Sequence, residues 1–254
     1  MAVKIGIVGA CGRMGVEIAN CILKNQKAQL SISLGRNIEK NSIFPVPNLL
    51  TTEIDKVFQE ADVIIDFSSP EGLQECLKQA IKHQKPLVSG TTGIDDNVQN
   101  AIQKASKEVK ICYSGNMSIG VAIMKNVLKT LSKQLADYDC EILEIHHNEK
   151  KDSPSGTSLL LGKAVAEARG QNFEKVANFN RSGKRLKDEI GFASIRGGSV
   201  FGEHEIMFIG QEDQISIKHT AFNRTIFAKG AVQAAISLFE KSQKAGLFQI
   251  DELV

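Results

Sequence analysis

The stretch KIGIVGACGRMGVEIANCILKN, residues 4–25, decides the fold. KIGIV (4–8) is an apolar run of buried-strand length. RMGVEIANCILKN (13–25) sets Met14, Ile18 and Ile22 on one helical stripe. Between them, GACGRMG brings Gly9, Gly12 and Gly15 to the end of the strand and the head of the helix. Glycines at such a turn let backbone N–H groups approach an anion, and the helix N-terminus adds partial positive charge. The dinucleotide fingerprint is G-x-G-x-x-G; here Cys11 holds its second glycine position and the spacing is G-x-x-G-x-x-G. The physics survives that change, and Arg13 adds a cation at the mouth. A tight turn without a ligand is the alternative. The strand before, the helix after and the alternation beyond favour a dinucleotide.

That alternation runs through the first half of the chain. AQLSISL (28–34) alternates as a strand, and VIIDFS (63–68) is another, followed by a Pro-started helix from about Glu71 to His83. PLVSG (86–90), a polar helix from about Asp95 to Lys107, and KICYSG (110–115) continue the pattern, while Asn37 to Pro47 reads as an ordered loop. Buried strands alternating with helices imply a parallel sheet covered on both faces. The expectation is an α/β, Rossmann-type, doubly wound domain. The rhythm then changes. A helix over Ile119 to Gln134, the strand DCEILEIHH (139–147) and a helix from about Thr157 to Arg169 precede three successive strand-like runs. These are EIGFASIR (189–196), EHEIMFIG (203–210) and QISIKHTAF (214–222), with Gly197, Gly198 and Gly210 at the turns. They predict a second, α+β domain on an open mixed sheet. A last helix, from about Ala228 to Glu240, has no partner there and is expected to return to the first domain. The predicted division is 1–117 completed by 228–254, and 118–227.

Composition narrows the function. The 254 residues allow one large or two modest domains. Hydrophobic and charged contents of 42% and 24% are those of an ordinary soluble protein. A net charge of +2, with no basic run interleaved with aromatics, argues against nucleic acid. The longest apolar runs are strand-length, so no membrane span is expected. MAVKIGIVG enters a strand directly, which predicts no cleavable signal and a cytoplasmic enzyme. Cys11, Cys21, Cys76, Cys112 and Cys140 are odd in number, scattered and set among apolar neighbours. They read as reduced core cysteines, not as a disulfide frame or a zinc site.

Cofactor choice is decided about 20 residues after the glycine turn, where an acid would bond a ribose 2′-hydroxyl. This chain has Gly35 and Arg36, which leave room for a 2′-phosphate and offer it a guanidinium, so NADPH is expected over NADH. A solvated loop charge is the alternative for Arg36. SGTTG (89–93) and SGNMS (114–118) fall at the carboxyl ends of later strands, the edge where ligands bind in such sheets.

EIHHNEKKDSPSGTS (144–158) carries two of the five histidines. His146 and His147 point to opposite faces if the strand continues through them, which argues against shared metal ligation, and no second ligand cluster accompanies them. Lys150 and the turn ending at Gly156 and Thr157 follow; cations and helix N–H groups together form a receptor for a small carboxylate. A histidine beside it can hand over a proton near neutral pH. A Tyr-x-x-x-Lys dehydrogenase is excluded, because Met117 and Ile142 stand four residues after Tyr113 and Tyr138.

Taken together, GACGRMG, IDFSSPEG, SGTTG, SGNMSIGV, EIHHNEKKDSPSGT, IGFASIRGGSVFGEH and FAKGAV, in this order, resemble the dihydrodipicolinate reductases of lysine and diaminopimelate biosynthesis. The resemblance spans essentially the whole chain. It implies that Gly9, Ala10, Cys11, Gly12, Arg13 and Met14, with Arg36, line a site for NADPH or NADH. Gly90, Thr91 and Thr92, then Ser114, Gly115, Asn116 and Met117, complete it. It implies His146 and Lys150 as the catalytic proton-handling pair, and His147, Lys150, Gly156 and Thr157 as the grip on a substrate's two carboxylates. It also implies a homotetramer built through the sheets of the second domain. Many members carry Glu-Arg where this chain has Gly35-Arg36, which puts efficient use of NADH in doubt. Another NADPH-dependent reductase of a small carboxylated imine, and an NADP-sensing regulator without turnover, are the competing readings.

Overall fold

The computed structural model describes residues 2–35 and 43–253. Arg36 and most of the expected 37–47 loop lie outside the described residues. The chain forms two units, Met1–Ile119 with Arg224–Val254, and Gly120–Asn223. In the first, β1 (Val3–Val8) passes through the glycine turn into α1 (Arg13–Leu23). β2 (Ala28–Leu30), β3 (Ser33–Leu34) and β4 (Leu50–Thr51) then build outward on one side of β1. α2 (Ile54–Glu60) returns the chain to β5 (Val63–Asp66) on the other side. α3 (Pro70–His83), β6 (Leu87–Ser89), α4 (Asp96–Ala105) and β7 (Lys110–Tyr113) continue that way. The second unit holds α5 (Ile119–Gln134, whose first residue closes the first unit), β8 (Asp139–His146), α6 (Gly156–Ala168), α7 (Phe173–Val176), β9 (Ala177–Asn178), β10 (Ile190–Arg196), β11 (Gly202–Ile209) and β12 (Gln214–Ala221). α8 (Thr225–Glu240) and β13 (Gly246–Phe248) rejoin the first unit.

Every pairing in the first sheet is parallel, in the order β13-β7-β6-β5-β1-β3-β4. The chain reverses direction across the sheet between β1 and β5, so their carboxyl ends flank the crevice where such sheets bind ligands. Burial on both faces explains the strand composition: Ile5, Ile7, Ile64 and Ile65 have no solvent exposure. The single strand expected over 28–34 is broken. Val3 pairs with Ala28 but Val8 pairs with Leu34, so one residue is extra and the strand bulges. Ser33 explains the break: its Oγ accepts the Ile7 N–H at 3.3 Å and donates to the Ser31 carbonyl at 3.0 Å, replacing ladder bonds. Gly6 lets α2 approach β1, since a Cβ there would lie 2.8 Å from Val57 Cγ1. Gly230, in FAKGAV, seats α8 against the loop after β7; a Cβ would overlap the Met117 carbonyl oxygen at 1.7 Å.

The second sheet runs β12-β11-β8-β10-β9, with β10 parallel to β8 and β9, and β11 antiparallel to β8 and β12. It is the expected open mixed sheet. Cys140, Ile142, Ile206 and Phe208 face one side and pack with Val121, Leu128, Leu161 and Val165 of α5 and α6. Alternation puts Leu143, Ile145, Met207 and Ile209 on the opposite face, which no helix of this unit covers. No helix of the described residues is long and apolar enough to cross a membrane.

Candidate active site

At the crevice of the first sheet, the turn after β1 is shaped by its glycines. Gly9 has φ +83°, and a Cβ on it would lie 2.4 Å from the Phe67 carbonyl oxygen. A Cβ on Gly15 would lie 2.3 Å from the Gly9 carbonyl, so α1 can start only tight against the turn. α3, α4 and α6 are capped by Ser69, Asp95 and Ser155 side chains, whereas α1 begins at Gly12 with no side-chain cap. Its first N–H groups are left for an anion. A cavity of about 580 Å³ opens here, lined by Gly9, Cys11, Gly12, Leu34, Thr52 and Glu71, with Phe67 and Ser68 on its other wall. The cradle and the uncapped helix fit a dinucleotide pyrophosphate. Arg13 is exposed beside it, and Met14 is half-buried.

The strand ends beyond the crevice are fastened by Asp66, which sequence reasoning passed over. Its carboxylate, fully buried, accepts the Ser89 and Thr91 hydroxyls at 2.8 Å each and the Ser68 N–H at 3.2 Å. Burial pushes the Asp66 carboxyl up, against those hydrogen bonds. Thr91 is thus turned inward, and its carbonyl accepts the Tyr113 hydroxyl at 3.1 Å. Gly90 fits because a Cβ would lie 2.3 Å from Phe67 Cζ. In the next loop Ser114 Oγ donates to the Asn116 carbonyl at 2.7 Å, and Asn116 Oδ1 accepts the Ser118 N–H at 2.8 Å. Ala10, Thr91 and Met117 are buried, so toward a ligand they offer backbone; Thr92 and Gly115 are exposed. Of the four expected cofactor segments, Arg36 lies outside the described residues, and residues 9–14, 90–92 and 114–117 follow the carboxyl ends of β1, β6 and β7.

His146 and His147 lie in the second unit. His146 ends β8, buried, and the period of the strand puts Glu144 on the same face. Glu144 is 1% exposed and fully partnered. Arg196 of β10 bonds it bidentately, Nη1 to Oε2 at 2.9 Å and Nη2 to Oε1 at 2.7 Å. The Ser155 N–H donates to Oε1 at 3.2 Å, and His146 Nδ1 bonds Oε2. Burial pushes the Glu144 carboxyl up, but the bonds from Arg196, Ser194 and His146 outweigh it and hold the group below the usual carboxylate range. For His146, burial is the largest influence and pushes the ring down; Glu144 opposes it, and Lys150 and Arg196 add to it. The net direction is downward.

His204 of β11 meets His146 edge to face at 5.1 Å between centroids, and its Nε2 bonds Ser155 Oγ at 3.0 Å. Burial pushes the His204 ring down to about 3, so it is neutral at ordinary pH. Gly202 makes room for the His146 ring, since a Cβ would lie 3.0 Å from Nε2. His147, one residue past the strand, is half-buried, and its carbonyl accepts the Lys150 N–H at 3.2 Å. Lys150 Nζ bonds Asp152 Oδ1 at 2.8 Å, and the Asp152 carbonyl accepts Arg196 Nη2 at 2.7 Å. Ser155 caps α6 by accepting the Ser158 N–H at 3.2 Å, which leaves exposed Gly156 and half-buried Thr157 as the first two helical residues. The strand end, the lysine turn and the helix N-terminus are therefore tied into one cluster through Glu144, Arg196 and Ser155. Sequence reasoning missed those three, together with Gly202 and His204. The i, i+2 spacing of Glu144 and His146 was a readable signal; the Arg196 bond spans 52 positions and was not.

Comparison with known proteins converges on one family. Residues 3–117 match the family model described as dihydrodipicolinate reductase, N-terminus, and residues 120–254 match the one described as its C-terminus. The chain is 44% identical to the 4-hydroxy-tetrahydrodipicolinate reductase of Wolbachia pipientis subsp. Culex pipiens over the full length of both. It is 40% identical to that of Nitratiruptor sp. over 98% of each chain. Among solved structures, a dipicolinate-bound dihydrodipicolinate reductase from Paenisporosarcina sp. shares the fold over 100% of both chains, with a TM-score of 0.78 at 22% identity. A myo-inositol dehydrogenase from Corynebacterium glutamicum shares it more loosely, with a TM-score of 0.62 at 13% identity over 93% of this chain and 87% of that one.

Proposed function

The chain belongs to the dihydrodipicolinate reductase family, and from that premise we propose how its residues divide the work. It is an oxidoreductase of lysine and diaminopimelate biosynthesis that uses a nicotinamide dinucleotide to reduce 4-hydroxy-tetrahydrodipicolinate, a small cyclic dicarboxylate. The bound reduced nicotinamide supplies a hydride to the dehydrated, conjugated form of that ring. The glycine turn of residues 9–14 holds the pyrophosphate, and the loops at 90–92 and 114–117 hold the nicotinamide half. NADPH is preferred, because Gly35 places no acid where a 2′-phosphate would sit and Arg36 follows it.

On the substrate side, Gly156 and Thr157 at the head of α6, with His147 and Lys150, bind the two carboxylates. His146 and Lys150 handle the proton that completes the reduction. The observation that carries this reading is the cluster itself: a buried imidazole at a strand end, tied through one carboxylate and one guanidinium to a lysine turn and an exposed helix N-terminus. A homotetramer assembled through the second unit would use the sheet face that carries Leu143, Ile145, Met207 and Ile209 among Glu141, Glu203 and Glu205, and the enzyme is read as cytoplasmic. Consumption of NADPH, followed by its absorbance on adding freshly generated 4-hydroxy-tetrahydrodipicolinate, tests the reading. Turnover on a different carboxylated imine and none on this substrate would overturn it.

A further inference from the structure

The second unit buries two acids to which no role in binding or proton transfer has been given, Glu189, which Arg181 pairs, and Glu144, which meets His146. Glu144 touches no exposed surface, yet it is the best-connected side chain of the cluster: Arg196 spans both oxygens, the Ser155 N–H reaches one, and His146 Nδ1 meets the other. A carboxylate gripped by a guanidinium stays ionised and can only accept. The nitrogen of His146 that faces it must then carry a proton, and Nε2 is the nitrogen left for exchange.

We propose that Glu144, clamped by Arg196 and the Ser155 amide, is the positioning residue that fixes His146 in its Nδ1–H tautomer and presents Nε2 to the substrate. The inference rests on the reading of His146 as a proton-handling group. The balance is simple: the Nε2–H bond of the imidazolium breaks, the proton goes to the reduced substrate, and the neutral Nδ1–H ring remains against Glu144. Arg196 has a second effect. It offsets part of the carboxylate's charge, so Glu144 orients the ring without locking it in the charged form. The other charges facing His146 are few. Lys150, itself paired with Asp152, comes from the following turn, Arg196 from β10, and the neutral ring of His204 from β11.

A purely architectural role for Glu144 predicts lost stability with unchanged chemistry, so the test reads chemistry. Glu144→Gln, Glu144→Asp and His146→Gln are compared for kcat, substrate KM and NADPH affinity across pH, with ¹⁵N NMR of the imidazoles. Glu144→Gln is expected to lower kcat by about 10²-fold, the scale of a misplaced reacting group, with substrate KM and NADPH affinity unchanged. Loss of the negative partner lowers the His146 pKa, so the limb on which kcat falls with rising pH should move to lower pH. Glu144→Asp should move it back toward wild type. Wild-type kcat and pH profile in Glu144→Gln, with His146→Gln inactive, overturn the positioning role alone. Wild-type kcat in His146→Gln removes the proton-handling reading beneath it. If Glu144→Gln does not fold, NMR of the wild-type enzyme decides: a proton on Nδ1 of neutral His146 supports the proposal, and a proton on Nε2 overturns it.

Discussion

Asp66 of the first unit and Glu144 of the second are both buried carboxylates near the end of a strand, and the two are held in opposite ways. Asp66, closing β5, is surrounded by neutral donors, the hydroxyls of Ser68, Ser89 and Thr91 and one N–H, and burial leaves its carboxyl raised. Glu144, two residues before the end of β8, also has almost no solvent exposure, but it is gripped by a guanidinium and lies under less protein than Asp66, and its carboxyl is lowered. Hydrogen bonds from neutral groups satisfy geometry; a cation also compensates charge. The first arrangement fastens loops. The second can steady the proton of a neighbouring imidazole, and of these two acids it is Glu144 that has a histidine against it.

The largest effect expected of that asymmetry is kinetic. His146→Gln should lower kcat by roughly 10²–10⁴-fold, the worth of a positioned acid, with NADPH affinity unchanged in binding titrations. Stability comes next. Arg196→Met strands Glu144 without its cation and should cost about 3–5 kcal/mol in denaturant unfolding. Asp66→Asn disturbs bonds to neutral donors and should cost about 1–3 kcal/mol. Equal costs would dissolve the distinction between the two acids. On the cofactor side, Arg36→Ala should weaken NADPH, and not NADH, by about 1.5–3 kcal/mol for a lost charge-assisted contact.

Acid should also separate the units. His204 is held neutral with a pKa of about 3 against 6.5 ordinarily, so below 6.5 the unfolded chain takes up a proton that the native state refuses. Stability is then lost as pH falls through that window, by about 2 kcal/mol at pH 5. Glu144 adds to the loss below the usual carboxylate range, because its folded value is depressed, whereas the raised Asp66 works the other way. The gap between denaturant midpoints at pH 7 and pH 5 should narrow in His204→Gln, leaving the smaller part contributed by His146 and His219, which burial also lowers. The smallest change expected is Thr157→Val, which removes a ground-state contact and should raise substrate KM with little change in kcat, by about 0.5–1.5 kcal/mol.

Local pattern carried much of the architecture. The glycine turn, the α1 stripe and the buried runs of β1, β5, β6 and β7 are written within a few residues each, because strand and helix periods are local properties. α5 falls on the expected Ile119–Gln134. The elements that escaped are those whose shape depends on partners: β4, β9 and β13 are two or three residues long, and α2 is a seven-residue helix set by its fit over Gly6. The bulge between β2 and β3 was hidden for the same reason, since only pairing with β1 shows the extra residue.

The sequence by itself determined the class of sheet, the place of the dinucleotide turn, and the His-His-x-x-Lys run before a Ser-Gly-Thr helix start. It also carried enough ordered motifs to point to one reductase family. Tertiary structure alone decided which groups act on those residues. Arg196 reaches Glu144 from β10, His204 reaches Ser155 from β11, and Gly202 clears space for the His146 ring, all through pairing of strands far apart in the chain. A side chain's protonation depends on burial and on charges a few ångströms away. Those neighbours are fixed by strand register, which no local stretch of sequence states.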